Sequence, residues 1–138
     1  MQANPLLGPV IALVAWTLVM LFWMAAARLP KLKGRRLPKG ARGADLEAGP
    51  HNWPAHNYMH LVEQPTVFYA VALALVAMGD TAIFNLYLAW AYVILRVLHS
   101  LWQATVNVVN TRFLLFLLSS LCLVALTLHA ALIFIHNG

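Results

Sequence analysis

Apolar residues dominate this chain in four long runs, which short polar segments separate. The runs cover about 6–27, 61–78, 83–106 and 113–135. A run of roughly 18 or more apolar residues is long enough to cross the hydrocarbon core of a bilayer as a helix. The pattern therefore predicts an all-α membrane protein, a bundle of four transmembrane helices that forms a single domain over residues 1–138.

Proline and glycine set the predicted helix ends. Leu29-Pro30 disfavours continuation of the first helix, and Pro54 suits the start of the second. Pro65 removes one backbone hydrogen bond and predicts a local bend, while Gly79 is suited to cap the second helix. The predicted helices are 6–27, 54–78, 82–106 and 111–135, with a basic loop over 28–53.

Composition and charge place the chain in a membrane and orient it there. Hydrophobic residues make up 62% of the sequence, which excludes an ordinary soluble domain of 138 residues. Seven of the nine basic residues lie in the 28–53 segment, which we expect to face the cytoplasm, with both termini on the opposite side. The short tails favour a bacterial inner membrane. Few aromatic residues separate the basic ones, so membrane lipid, and not nucleic acid, is the expected partner.

Glu63, Arg96 and His99 interrupt the second and third apolar runs. Arg96 and His99 lie in the third run, and a cation at bilayer depth costs at least about 2.5 kcal/mol and marks a functional site. Glu63 is the only carboxylate inside another run, so it is the expected partner of Arg96. At about 1.5 Å per residue, Glu63 lies roughly 13 Å, Arg96 roughly 15 Å and His99 roughly 10 Å above the inner helix ends.

Helical spacing places these polar residues on facing surfaces. Arg96, His99 and Gln103 share one face of the third helix, and His60 and Glu63 share one face of the second. Two further cations, Arg28 and Arg112, lie at the inner helix ends. The sequence therefore predicts a polar pocket that opens toward the cytoplasm and suits an anionic ligand. A purely structural Glu63–Arg96 ion pair is the alternative, although burial makes such pairs poor stabilisers.

A metal site is a further hypothesis. His56, His60 and Glu63 follow i, i+4, i+7 spacing, and His99 could add a fourth ligand of a type that suits zinc or iron. Arg96 would place a cation beside that metal, so we predict no metal site.

Two motifs resemble those of the MAPEG family, the membrane-associated proteins in eicosanoid and glutathione metabolism. Residues 57–69, NYMHLVEQPTVFY, are similar to the family's second-helix motif of a Glu followed by Pro and Phe. Residues 96–100, RVLHS, are similar to its third-helix R-x-x-H motif, and Arg112 falls where family enzymes often carry an arginine. The four-helix layout and the basic first loop also match the family, in its bacterial members.

The resemblance implies a homotrimer that binds glutathione as a cosubstrate between subunits. Glu63 would bind the amino group of glutathione, and Arg96 and His99 its backbone and carboxylates. Arg112 would lie near the sulfur and favour the thiolate, which makes it the predicted catalytic residue. The predicted glutathione-binding set is completed by His60, Asn57, Arg28 and Gln103.

The sequence also departs from the family pattern. Met59 and His60 stand where family enzymes often have Arg-Asn, Gln103 replaces a tyrosine and Phe113 replaces a serine. Two functions follow from the resemblance. The first is a glutathione transferase or peroxidase that acts on lipophilic electrophiles. The alternative is a non-catalytic protein that binds lipid or a partner on the same scaffold.

Overall fold

The computed structural model describes residues 3–34 and 52–137, without the side chains of Arg28, 30–34 and Asn137. Most of the predicted basic loop therefore lies outside the described residues. The helices, in chain order, are α1 (Leu7–Gly34), α2 (Trp53–Glu63), α3 (Pro65–Ala77), α4 (Ile83–Thr105) and α5 (Val109–Asn137).

Four segments of these helices are long and apolar enough to cross a membrane, which confirms the predicted all-helical protein with four spans. The α2 and α3 helices together supply one of the four. The spans are Leu7–Ala27, Trp53–Ala77, Ile83–Thr105 and Val109–His136. The chain is therefore a multi-pass integral membrane protein.

The end of the first helix differs from the prediction. We expected the helix to stop near Arg28, but α1 continues through Pro30 to Gly34. A proline inside a helix removes a single N–H donor and bends or weakens the helix there, without ending it in every case. The apolar span still ends at Ala27, so the extra turns lie beyond the segment that crosses the membrane.

The predicted bend at Pro65 is confirmed as a break between α2 and α3. Gln64 lies between the two helices and keeps helical backbone angles of φ −68° and ψ −40°. Pro65 has no N–H to donate to the carbonyl of Leu61. The Val67 N–H bonds to the Gln64 carbonyl at 3.1 Å, three residues back along the chain and not the usual four. The break places Gln64 at a point where its side chain can reach two other helices.

The predicted glycine cap at the other end of this span is also confirmed. Gly79 has a φ of +72° and its N–H bonds to the Val76 carbonyl, while the Asp80 N–H bonds to the Leu75 carbonyl. These two bonds form a Schellman motif, which requires a left-handed residue after the helix. The tight turn that follows leads directly into α4.

A polar network joins the helices beside this turn. The Asp80 carboxylate accepts hydrogen bonds from the Asn85 side chain at 2.8 Å and from the Ala82 N–H at 3.2 Å. Asn85 is fully buried, and its Oδ1 lies 2.9 Å from Nδ1 of His129 on α5. The network connects α4 to α5 at the end of the bundle that is remote from Arg96.

The α4 helix is the centre of the bundle, since it packs against α1, α2 and α5. Its buried face is mixed: Ala89 and Tyr92 are apolar or aromatic, whereas Arg96, His99 and Gln103 are polar. The Tyr92 ring stacks on Phe68 of α3, with centroids 4.5 Å apart and planes at 14°. This stack lies one helical turn from Arg96 and packs the bundle on that side of the guanidinium.

Candidate functional site

A cavity of about 240 Å³ lies among α2, α4 and α5. Its lining combines ionisable side chains, one amide and an apolar wall. The lining residues are His60, Glu63, Gln64, Arg96, His99, Val109, Arg112, Phe113 and Phe116. The prediction that the polar faces of the second and third spans meet at one depth is therefore confirmed.

Arg96 is the deepest charged group of this cavity. Its side chain is only 1% exposed, and its Nη1 donates to Gln64 Oε1 at 2.8 Å. Its Nη2 donates to the backbone carbonyl of His60 at 3.0 Å. Its Nε is buried and has no hydrogen-bond partner in the described part of the chain. Both acceptors are neutral, so the two hydrogen bonds hold the guanidinium in place without offsetting its charge.

The expected ion pair between Glu63 and Arg96 was wrong. The Glu63 side chain is 66% exposed, and its Oε2 lies 3.7 Å from Nδ1 of His60 on the same face of α2. Over residues 3–34 and 52–137, no carboxylate oxygen comes within 4.0 Å of the Arg96 guanidinium. Successive residues of a helix point about 100° apart, so with Gln64 bonded to Arg96, Glu63 points in a different direction and lines the cavity beside His60. The structural alternative, a buried Glu63–Arg96 pair, has no basis in this geometry.

Gln64 is the polar site residue that sequence reasoning missed. It accepts from Arg96 and, through Nε2, donates to Ser120 Oγ of α5 at 2.8 Å. It lies next to Glu63, whose negative charge made it the expected partner of Arg96 in place of the neutral amide of Gln64. The available signal was its place immediately before Pro65, since a residue at a helix break is freed from the regular helical face.

Two histidines line the cavity together with Arg96 and Arg112. The ring of His60 meets the ring of His99 edge to face, with centroids 6.5 Å apart. His99 is nearly buried, and its Nδ1 has no hydrogen-bond partner within the described residues. His60 is half-exposed on the side of Glu63. The pair brings an imidazole with an unused nitrogen beside Arg96.

The first two turns of α5 form the opposite wall. Val109, Arg112, Phe113 and Phe116 follow i, i+3, i+4, i+7 spacing and all line the cavity. Arg112 Nη1 donates to Oδ1 of Asn107 at 2.8 Å, in the connection between α4 and α5. Asn107 has a φ of +54°, which an asparagine tolerates better than most side chains. The connection thus orients a second guanidinium toward an apolar surface.

Two residues of the predicted ligand set do not line the cavity. Asn57 and Gln103 are buried elsewhere, at 0% and 1% exposure, and each has an amide atom without a partner in the described chain. The side chain of Arg28 lies outside the described residues. Helical spacing predicted that more polar residues line the cavity than the structure shows, since a buried polar residue can face a neighbouring helix and not the cavity.

The residues of the metal hypothesis are only partly brought together: His60 Nδ1 lies 3.7 Å from Glu63 Oε2, and the ring centroids of His60 and His99 are 6.5 Å apart. In the portion of the chain that the structure describes, no three His, Cys, Asp or Glu side chains are placed to hold a metal ion.

The cavity offers both signs of charge to a ligand. Arg96 and Arg112 can bind anionic groups, because a guanidinium stays charged and presents several donors. Among the described residues, Glu63 has no cationic neighbour other than His60 when that is protonated, so it can accept an ammonium group. The valine and two phenylalanines of α5 give an apolar ligand a surface beside these charges.

Comparison with known proteins gives one match. The model of the MAPEG family matches residues 6–132, nearly the whole chain, including the first three spans and most of the fourth. No curated protein and no solved structure matches the chain. The family match covers every residue that lines the cavity, from His60 to Phe116. The chain belongs to the MAPEG family.

Proposed function

We propose that this protein binds glutathione in the cavity among α2, α4 and α5 and transfers its thiolate to lipophilic electrophiles. The MAPEG family is generally associated with glutathione, which supports the choice of ligand. The observation that carries the proposal is the buried Arg96 guanidinium, which lines a cavity and lacks a carboxylate partner in the described residues. A buried charge without a counter-ion is costly, so an anionic ligand is the group that would offset it.

The charges of glutathione match those of the cavity. Glutathione carries two carboxylates and one ammonium at neutral pH, together with a thiol. One carboxylate would bind Arg96, and the ammonium would bind the exposed Glu63 carboxylate. Arg112 would then be the cation nearest the sulfur, beside the phenylalanines of α5. A guanidinium close to a thiol favours the thiolate, which is the reactive nucleophile.

The chemistry needs no nucleophile from the protein. The thiol loses its proton, and the sulfur then forms a bond to an electrophilic carbon while the leaving group departs with its electron pair. With a lipid hydroperoxide, the thiolate would instead attack the terminal peroxide oxygen, so that the O–O bond breaks, the alcohol leaves and the sulfur becomes a sulfenic acid. The thiol of a second glutathione would then attack that sulfur, which forms the disulfide and releases water. The apolar wall of Val109, Phe113 and Phe116 is where the lipophilic partner would approach from the bilayer.

Orientation and assembly are part of the same proposal. The basic segment 28–53 faces the cytoplasm, and both termini lie on the opposite side of a bacterial inner membrane. The protein forms a homotrimer, as the family resemblance implies. The outward direction of Glu63 is consistent with that assembly, since a carboxylate exposed within a span would otherwise face lipid.

Calorimetric titration of the purified protein with glutathione is the direct test. We expect saturable binding below millimolar concentration, and S-methylglutathione, which lacks the free thiol, serves as the comparison of nearly equal size. If millimolar glutathione gives neither heat nor saturation, the protein is not a glutathione-binding protein.

Arg112→Ala separates chemistry from binding. Because the guanidinium would mainly stabilise charge on sulfur, we expect kcat for transfer to a lipophilic chloronitrobenzene to fall by about a hundredfold. The Kd for glutathione should change by less than about threefold. Arg112→Lys is the matched control that keeps the charge. Equal losses in kcat and in affinity would remove the assigned role of Arg112.

A second candidate is a non-catalytic lipid-binding protein, and one observation favours it. An apolar groove of about 450 Å³ lies between α1 and α4, away from the charged cavity. It is lined by Ala12, Ala15, Trp16, Val19, Trp90, Val93, Ile94, Val97 and Leu98. An acyl chain would fit a groove of this composition. Native mass spectrometry that finds retained lipid, in protein that binds no glutathione, would favour this function over transfer.

A further inference from the structure

Gln64 bridges three elements at the helix break through a chain of directed hydrogen bonds. Its Oε1 accepts from Arg96 of α4, and its Nε2 donates to Ser120 Oγ of α5, both at 2.8 Å. The Ser120 hydroxyl in turn donates to the carbonyl of Phe116 at 2.8 Å. Arginine has only donors, so the amide oxygen must face Arg96 and the amide nitrogen must face Ser120. The amide therefore has one orientation that satisfies both neighbours.

The bridge holds Arg96 without neutralising it. Gln64 and the His60 carbonyl are both neutral acceptors, and the guanidinium remains 1% exposed. The described carboxylates are engaged elsewhere: Glu63 lies beside the His60 imidazole, and Asp80 binds Asn85 in the polar network near Gly79. The positive charge of Arg96 is thus held next to the cavity with no counter-ion among the described residues.

Comparison with the adjacent Glu63 shows that the charge available in the cavity depends on which residue occupies position 64. Residues 63 and 64 are a carboxylate and an amide of the same length, and only the amide faces Arg96. With the two exchanged, a buried ion pair would form and the cavity would lose its strongest attraction for an anion. The order Glu-Gln therefore keeps a cation available inside the membrane.

We propose that Gln64 is a specificity-determining residue of this cavity: it positions Arg96 through a neutral acceptor and so reserves the guanidinium for a carboxylate of the ligand. The inference rests on the proposed function, since it assigns a partner on glutathione to Arg96. It adds a residue that touches neither the sulfur nor the electrophile and acts through Arg96.

Gln64→Glu tests the inference with almost no change of shape. The carboxylate can accept from Arg96 as the amide does, and the Ser120 hydroxyl can rotate to donate to it, so both bridges survive. Gln64→Met is the matched control, because it removes the acceptor without adding charge. The probes are glutathione and its diethyl ester, whose binding to wild type and both variants is measured by calorimetry.

The new carboxylate should neutralise Arg96, so we expect glutathione to bind Gln64→Glu at least about tenfold more weakly than wild type. The preference for glutathione over its diester should fall by a similar factor, because one ligand carboxylate loses its partner. Gln64→Met should keep most of that preference, since its Arg96 charge is not offset. Wild-type affinity and preference in Gln64→Glu would overturn the inference.

A thermal measurement without ligand separates this inference from the proposed function. If Arg96 lacks a counter-ion, Gln64→Glu should raise the Tm of the ligand-free protein by about 3 °C or more, and Gln64→Met should lower it. A wild-type protein that binds no glutathione removes the proposed function and the ligand assigned to Arg96. A Tm that falls in Gln64→Glu shows that Arg96 is already neutralised, and it overturns the inference even when glutathione binds.

Discussion

Arg96→Met tests whether the buried guanidinium serves binding or stability. Methionine is unbranched, flexible and close to arginine in volume, so it can fill most of the space that the arginine side chain occupies between α2 and α4. The substitution removes the charge and the two donors that now reach Gln64 and the His60 carbonyl. We expect it to abolish glutathione binding and to leave the free energy of unfolding almost unchanged.

The expected stability change follows from two opposing contributions. A cation at bilayer depth costs about 2.5–3.5 kcal/mol on insertion scales. Each hydrogen bond from a charged donor returns about 1.5 kcal/mol at the lower end of the measured range, which suits acceptors that border a cavity. Two such bonds offset the cost, so Arg96→Met should change the free energy of unfolding by no more than about 1 kcal/mol. Breaking a true buried ion pair would cost about 3–5 kcal/mol.

Unfolding titrations with a denaturing detergent in mixed micelles measure this difference, and calorimetry with glutathione measures binding to the same preparations. Arg96→Lys is the control, because it keeps the charge but loses the fork of donors that fits both acceptors. A loss of 3 kcal/mol or more, about the cost of a broken buried pair, would show that Arg96 is a structural residue. Glutathione binding that survives in Arg96→Met would refute the assigned role independently of stability.

Two further predictions concern the end of the bundle near Gly79, remote from the cavity. Gly79→Ala should lower the free energy of unfolding by about 1–2 kcal/mol, because φ is +72° and an added Cβ meets no atom within 4 Å, so only backbone strain contributes. Gly79→Asn should lower it by less. A Gly79→Ala protein as stable as wild type would contradict the left-handed cap. Asn85→Ala should lower the free energy of unfolding by about 1–3 kcal/mol, because it removes the bonds to Asp80 and His129. The affinity for glutathione should stay within about twofold of wild type. A larger loss of affinity would show that this network and the cavity are coupled.

Local sequence signals predicted the parts of the fold that depend on single residues. Pro65 lacks an N–H and Gly79 accepts a positive φ, and the structure has a break at one and a cap at the other. The same reasoning was wrong for Pro30, where α1 continues. A proline in the sequence establishes only that one backbone hydrogen bond is missing. Whether the helix ends there depends on the residues that pack around the proline. At Pro65 the surroundings include a guanidinium that bonds the His60 carbonyl in the preceding turn.

The convergence of the site was predictable, but its pairing was not. Depth along antiparallel helices depends only on residue number, so Arg96 and His60 could be placed at one level from the sequence. Which of two adjacent residues faces α4 depends on the rotation of α2, and apolar residues on all sides of a membrane helix leave that rotation undetermined. The sequence prediction chose Glu63 over Gln64 because of its charge, whereas the rotation of α2 determines which of the two residues bonds to Arg96.

Polar residues in these helices serve two different purposes, and composition does not distinguish them. Arg96 and His99 line the cavity, whereas Gln103, on the same face of α4, is buried away from it. The difference lies in the neighbouring helices, because a helix break or a loop leaves space beside a polar side chain that a regular, closely packed helix would fill. Here the break at Pro65 and the α4–α5 connection at Asn107 border the same cavity, and each directs one arginine into it. The positions of those two irregularities, more than the number of charges, determine where this bundle can bind an anion.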